Sequence, residues 1–321
     1  MHVEIVTQLG SEVLPQVRTL LDVALQHDGV ESIGEHKFLR VSSGTNASGV
    51  KAILAYDGER LVGYANVELF PIKSPTRTAS PARTASSCRL SAEMTVHPEA
   101  RRHGTASAML EAIVDEARSQ DLDRVDIWAY HQLSGTRELA AKFGFEPSRT
   151  LLEIRMRLPD SFPDAPLPEG VELRGFRPGR DEAEWLALNN LVFESHPEQG
   201  AWDEEDLAVR LRQPWFEPLD FLVADKDGRL VAYNWLKLDH AALEGEIYVI
   251  GVHPEERRRH FGRSLTILGL AHMVEHGMKD ASAYVDASNS GALAMYYSLG
   301  FGLDHSDLCY SKPLKTQSAL T

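Results

Sequence analysis

The sequence predicts an α/β (α+β layered) protein built from two tandem domains, each a mixed central sheet flanked by helices. Three observations carry this reading. The chain has 321 residues, enough for about two domains of ordinary size. Val96-His97-Pro98-Glu99 recurs as Val252-His253-Pro254-Glu255, Arg101-Arg102 as Arg257-Arg258, and Gly144-Phe145 as Gly300-Phe301, each pair 156 residues apart. Each half also runs through the same order of helical and strand periodicities, which marks an internal repeat rather than a chance likeness.

The elements follow in order. Helices come first, over 12–26 in one half and over 182–194 and 204–211 in the other. Two strands then flank Asp57-Gly58 or Asp227-Gly228, dipeptides that favour hairpin turns. Here Leu61-Val62-Gly63-Tyr64 answers to Leu230-Val231-Ala232-Tyr233, 169 residues apart, so the first half carries 13 extra residues. The stretch 71–87, rich in Ser, Thr, Pro and Ala, accounts for them as a longer loop. A third strand ends at Val96 or Val252, followed by an arginine-rich turn and an amphipathic helix. Met109, Leu110, Ile113 and Val114 form its apolar stripe in one copy, and Leu265, Leu268 and Met273 in the other. A strand (125–130 or 281–285), a short helix and a last strand complete each unit. Pro159, Pro163, Pro166 and Pro168 mark a linker. The expected domains are therefore 1–158 and 171–321, joined by 159–170.

Composition narrows the function. Apolar and charged fractions of 43% and 25% are those of a globular protein. A formal net charge of −14 repels phosphate backbones and argues against nucleic acid as a partner. Cys88 and Cys309, one per half, cannot build a disulfide framework. No apolar run suits a membrane span, and the first residues lack a secretory pattern, so a cytoplasmic protein is expected, working as a monomer and away from membranes.

The turn after each Val-His-Pro is suited to an anion. A helix N-terminus offers unpaired N–H groups and a partial positive charge, small residues let the backbone close in, and arginines add charge. Arg101-Arg102-His103-Gly104-Thr105-Ala106 fits R-x-x-G-x-A and resembles the pyrophosphate loop of the GNAT superfamily, whose usual donor is acetyl-CoA. The second copy reads Arg257-Arg258-Arg259-His260-Phe261-Gly262, with His260 where the pattern has glycine.

Acetyl transfer to an amine needs a base to free the nitrogen lone pair and an acid to help the thiolate leave. At the constant offset Glu246 aligns with Leu90, and Tyr296 with Ala140. Only the C-terminal half then has a carboxylate and a phenol for these roles, and the N-terminal half is expected to be non-catalytic. Glu246, Tyr248, Ile250 and Val252 are expected to share one strand face. Asn289 and Tyr296, two helical turns apart, are expected to face the cofactor.

Several longer segments resemble the mycothiol synthase family of tandem GNAT acetyltransferases. They are Gly245-Glu246-Ile247-Tyr248-Val249-Ile250-Gly251-Val252-His253-Pro254, Tyr284-Val285-Asp286-Ala287-Ser288-Asn289, Tyr296-Tyr297-Ser298-Leu299-Gly300-Phe301 and His196-Pro197-Glu198-Gln199-Gly200. The resemblance implies acetylation of the cysteinyl amine of cysteinyl-glucosaminyl-inositol, giving mycothiol and CoA, with Glu246 as base and Tyr296 as acid. It implies substrate contacts at Glu35, Glu198, Lys237, Glu246 and Tyr284. The acetyl-CoA site would use Ile250, Gly251 and Val252, the turn Arg257, Arg258, Arg259, His260, Phe261, Gly262 and Arg263, and the helix start Asn289, Ser290, Gly291, Ala292, Leu293 and Ala294. A second nucleotide site is implied on Met94, Thr95 and Val96 with Arg102, His103, Gly104, Thr105, Ala106 and Ser107. The cofactor is acetyl-CoA as co-substrate, the partner an amino-sugar inositol thiol precursor, and no metal is expected. The alternatives are a tandem GNAT enzyme for another small amine and a non-catalytic acyl-CoA-binding protein.

Overall fold

A computed structural model describes residues 1–35, 37, 50–72, 88–131, 133–196, 202–257 and 261–314. It resolves into two compact units, one of Met1–Thr150 with Ser306–Thr321 and the other of Leu151–His305.

In the first unit β1 (His2–Val6), β2 (Val50–Asp57), β3 (Arg60–Pro71) and β4 (Cys88–Val96) pair antiparallel in sequence order. β5 (Arg124–Ala129) then lies parallel to β4. Helix α1 (Leu14–Asp28) starts with Pro15 in its first turn and ends at Gly29, whose φ of 73° suits glycine. The long helix α2 (Thr105–Ser119) buries Met109, Leu110, Ile113, Val114 and Ala117 in a core shared with Leu90, Val125 and Ile127. This is the stripe its sequence spacing predicts. The short helix α3 (Thr136–Lys142) follows β5.

The second unit repeats the plan. β7 (Val171–Gly175), β8 (Phe221–Lys226), β9 (Arg229–Asp239) and β10 (Glu244–Val252) pair antiparallel, and β11 (Asp280–Asp286) runs parallel to β10. Asp227 and Gly228, at φ 54° and 80°, make the tight β8–β9 turn. Helices α4 (Glu182–Val192) and α5 (Glu204–Leu211) cover one face, and Asp203 and Asp206 close a reciprocal capping box at the start of α5. Their side is a nest of rings: Trp185 meets Phe221, Tyr233 and Trp235 edge to face. The other face carries α6 (Phe261–Glu275), and α7 (Ser290–Ser298) follows β11.

The closing strands are exchanged relative to sequence order. β6 (Glu146–Arg157) pairs antiparallel with β11 through Leu151–Arg157, so it closes the second sheet. β12 (Gly302–Pro313) pairs with β5 through Leu308–Pro313 and closes the first. The sequence-based bounds 1–158 and 171–321 therefore differ from the compact units by one strand each. The reason is that a repeat offset reports which strands correspond, not which sheet they join. The expected loop over 71–87 lies mostly outside the described residues. Among the described residues no helix is long and apolar enough to cross a membrane.

Fragments 1–158 and 171–321, expressed separately, should each lack a sheet-closing strand and show no cooperative thermal transition by circular dichroism. Co-expressed, they should co-purify with a single transition. Two independently folded fragments would contradict the exchange.

Candidate active site

The site in the second unit is set by where two strands part. β10 and β11 pair only from Glu244↔Asp280 to Ile247↔Ala283, although β10 runs on to Val252 and β11 to Asp286. On its other edge β10 stays paired with β9 to Val252↔Ala232. The backbone edge of Tyr248–Val252 that points away from β9 therefore borders a gap. Buried backbone N–H and C=O groups need partners, so such an edge suits a ligand rich in amides.

A β-bulge sits at the same place. The β9–β10 register passes from Ile247↔Leu236 to Val249↔Trp235, leaving Tyr248 as the extra residue. The bulge changes which side chains share a face. Ile247 packs with Leu270 and Met273 of α6, whereas Val249 packs with Trp185 and Trp235 on the opposite face. Ile250 and Val252 join the α6 side, beside Phe261 and Leu265. The expected common face for Glu246, Tyr248, Ile250 and Val252 is thus broken by the extra residue. Glu246, opposite in alternation to Ile247, lies on the aromatic side with Tyr248.

Glu246 is half-buried one residue before the last β10–β11 pair. Its cross-strand partner is Lys237, whose Nζ lies 5.2 Å from the Trp215 ring centre and 6.0 Å from that of Tyr248. The Tyr248 hydroxyl accepts the Arg210 Nε–H at 2.9 Å. Tyr296, on α7, is 3% exposed and stands edge to face with Phe301 at 5.1 Å. It belongs to the same core cluster as Ile247, Ala283 and Val285. Burial pushes its phenol pKa well above the ordinary range, so the hydroxyl keeps its proton at neutral pH. Tyr284, the first β11 residue past the last pair, is exposed, and its hydroxyl donates to Glu153 Oε2 at 2.6 Å.

The phosphate turn is partly in view. Arg258, Arg259 and His260 lie outside the described residues, as does Glu198. Arg257 donates to the Val192 carbonyl at 3.4 Å, and Arg263 donates to Ser298 Oγ at 2.7 Å. The Phe261 side chain is 1% exposed and belongs to the core, which leaves only its backbone for a phosphate. Gly262 has open space around its Cα. Gly251 answers a different need, since a Cβ there would lie 2.6 Å from Cζ of the buried Tyr233. Asn289 is the N-cap of α7 and accepts the Ala292 N–H at 3.2 Å, so its amide oxygen is engaged in the helix. Ser290, Gly291 and Ala294 in the first turn are exposed, and Ala292 and Leu293 half-buried.

The first unit has the same gap, because β4–β5 pairing stops at Ala92↔Ile127. β3 and β4 keep one continuous register, without a bulge. Comparing registers corrects the counterpart of Glu246. Glu246 opposes Lys237 and Ser282, and in the first unit the same strand positions, Glu68 and Asp126, oppose Ser91. The counterpart is Ser91 and not Leu90, because Tyr248 adds one residue that a constant offset ignores. Glu93, which sequence reasoning passed over, stands at the gap and is 4% exposed. Its carboxylate meets Lys37 Nζ at 2.9 Å and accepts from the Gly34 N–H at 2.6 Å and the Tyr130 hydroxyl at 2.9 Å. Three donors hold it. The only sequence signal was a charge inside an apolar strand. Glu35, half-buried, follows Gly34.

A pocket of about 100 Å³ opens beside this gap, lined by Met94, Trp128, Tyr130, Leu139, Ala140 and Tyr310 among others. Ala140 is where the second unit has Tyr296. Thr95 and Val96 are buried, and Thr105 Oγ1 donates to the Ala100 carbonyl at 3.2 Å. Arg101 is fixed by a bidentate pair with Asp28 at 2.7 and 2.6 Å. Arg102, at φ 64°, and His103 are exposed before the N-cap Gly104 at φ 91°, while Ala106 and Ser107 are half-buried in the first turn of α2.

In each unit a parallel central strand pair parts beside the start of a long helix, an arrangement that suits an acyl transferase. The sequence model of the acetyltransferase (GNAT) family matches residues 17–145 and 185–301. The chain belongs to that family and is an acetyltransferase. The mycothiol acetyltransferase of Thermobispora bispora is 39% identical to it over 302 residues, covering 92% of this chain and 95% of that protein. That of Streptomyces coelicolor is 35% identical, covering 96% and 94%. A solved tandem GNAT protein from the clavulanic acid biosynthesis pathway shares the fold at a TM-score of 0.68 and 17% identity, covering 98% of this chain and 99% of that one.

Lys37→Met should destabilise the full chain by about 3–5 kcal/mol in urea unfolding, because it strands a buried carboxylate. Adding Glu93→Gln should recover part of that loss. Equal stabilities for the single and double variants would disprove the pairing energy.

Proposed function

We propose that the chain transfers the acetyl group of acetyl-CoA to the cysteinyl amine of cysteinyl-glucosaminyl-inositol, forming mycothiol and CoA, with the chemistry confined to the second unit. The observation that carries this reading is the carboxylate of Glu246 at the parting of β10 and β11, where the first unit has Ser91. The 39% and 35% identities with mycothiol acetyltransferases over nearly the whole chain support the choice of acceptor.

In this reading Glu246 takes a proton from the substrate ammonium, which frees the nitrogen lone pair to form the N–C bond at the thioester carbon. As the C–S bond breaks, Tyr296 passes its hydroxyl proton to the leaving sulfur and regains one from solvent. The buried phenol carries its proton at neutral pH and so has one to give, while burial, by raising its pKa, makes it a weaker acid than an exposed phenol. Lys237, Tyr284, Glu35 and Glu198 contact the acceptor, and their carboxylates suit a cationic amine and sugar hydroxyls. The backbone of Ile250–Val252, the turn from Arg257 to Arg263 and the first turn of α7 hold acetyl-CoA. Met94–Val96 and Arg102–Ser107 hold a second nucleotide in the first unit, where Glu93 is tied up by its three donors. The enzyme acts as a cytoplasmic monomer.

A thiol-release assay with cysteinyl-glucosaminyl-inositol, set against glucosaminyl-inositol lacking the cysteine, tests the acceptor. Turnover of only the first is expected. Equal turnover of both, or of unrelated amines, would replace it with a broader amine acetyltransferase. Tight CoA binding without turnover would leave a binding protein.

Glu246→Gln should lower kcat/KM by about 10²–10⁴-fold and remove the acidic limb of its pH profile. Tyr296→Phe should lower kcat with little change in the KM for acetyl-CoA. Wild-type turnover in Glu246→Gln would reject the base assignment.

A further inference from the structure

We propose that Asp220, His272 and His276 form a binding site for a divalent transition-metal ion, Zn²⁺ in particular, at the C-terminal end of α6. One ligand atom from each of the three residues lies within 4.8 Å of the others. His272 and His276 are four residues apart and so project from one helical face, with ring centres 4.0 Å apart and planes 30° from parallel. Asp220 arrives from the loop before β8, and its Oδ1 stands 2.7 Å from His272 Nε2. The Asp220 carbonyl accepts the Leu236 N–H of β9 at 2.9 Å, which anchors this loop to the sheet. The carboxylate thus comes from a rigid part of the fold.

Three features favour a metal over a plain Asp–His contact. The first is the donor set. Two imidazoles and a carboxylate suit Zn²⁺ or a neighbouring first-row ion and are poor for Mg²⁺ or Ca²⁺. The second is the tautomer. His276 Nδ1–H donates to the His272 carbonyl at 2.8 Å, which in the neutral ring leaves the Nε2 lone pair for a metal. Backbone carbonyls commonly orient metal-binding histidines in this way. The third is the setting. The site lies at the negative end of the α6 dipole, where Gly277 at φ 82° ends the helix.

Access and geometry agree with this assignment. Asp220 and His272 are largely buried, whereas His276 is exposed, so an ion enters from solvent and retains water in its remaining position. Two ligand atoms on a tetrahedral Zn²⁺ stand about 3.3 Å apart, so the Asp220–His272 contact opens only slightly. The ion replaces the proton on His272 Nε2, and the ring carries its proton on Nδ1 instead. His272 lies eleven residues along α6 from Phe261, about 16 Å of helix rise from the phosphate turn. The site is therefore separate from the chemistry, and the ion clamps the end of α6 to the start of β8.

The test is competition titration of the chelator-stripped full chain with Zn²⁺ and a chromophoric chelator, paired with Co²⁺ absorption and thermal unfolding. Wild type should bind one Zn²⁺, give d–d bands with Co²⁺ and gain several degrees in Tm with Zn²⁺ but not with Mg²⁺. His276→Ala, at an exposed position tolerant of change, should weaken Zn²⁺ binding by at least about tenfold, since even an outer-sphere partner is worth that much. Asp220→Asn should do the same, while His240→Ala, at an exposed histidine elsewhere in the unit, should bind like wild type. No saturable Zn²⁺ binding, or equal affinity in His276→Ala and wild type, would overturn the assignment.

Discussion

The point at which β10 stops pairing with β11 governs the candidate site of the second unit. Four residue pairs hold the two strands together, and beyond Ile247↔Ala283 they diverge while β9 keeps β10 in place. A divergence inside a sheet is costly, because it exposes backbone groups that a ladder would satisfy. Here the cost creates a backbone edge with hydrogen-bonding capacity to spare, open to side chains from either face. The bulge at Tyr248 strengthens the effect, since an extra residue increases local twist. It also keeps Glu246 on the aromatic face while sending Ile250 toward α6. One inserted residue thereby decides which face Glu246 shares and which face Ile250 takes.

The aromatic side makes the carboxylate's surroundings firm. Trp185, Phe221, Tyr233 and Trp235 are packed edge to face or stacked, with Phe221 and Trp235 rings 4.2 Å apart. Trp215 and Tyr248 extend that layer to Lys237, whose charge lies over their rings. The cross-strand lysine beside Glu246 thus rests on a rigid wall, and the Arg210 bond to Tyr248 pins the bulge residue itself.

Much of this was legible in the residues. The fixed offset found the duplication, and the helix periodicities found α2 and α6, because amphipathic stripes and turn dipeptides are local signals. Three things were not. The exchange of β6 and β12 is invisible to periodicity, which cannot say which neighbour a strand chooses. The bulge at Tyr248 leaves no local mark, and without it Glu246 was matched to Leu90 rather than Ser91. Glu93 looked like one more charge in a strand, because its significance lies in Lys37, Gly34 and Tyr130, which are distant in sequence. His272 and His276 show the reverse case. Their spacing is readable, but its meaning needs Asp220, which only folding brings near.

The contrast between the two copies follows from how each treats a carboxylate at its gap. In the first unit Glu93 is taken out of water and compensated by an ammonium, an amide and a phenol. With three donors on its two oxygens, that carboxylate is held as part of the packing at the gap. In the second unit the carboxylate has moved to the strand position of Ser91, stays half-buried, and faces a lysine that replaces the acidic Glu68 of the first copy. The helix position opposite has diverged in step, with Ala140 leaving a pocket where Tyr296 fills the core. The pocket beside Ala140 and the fully compensated Glu93 therefore lie in the same unit. The two copies of the duplicated unit thus differ both in where the strand beside the gap carries its carboxylate and in whether the short helix carries a phenol.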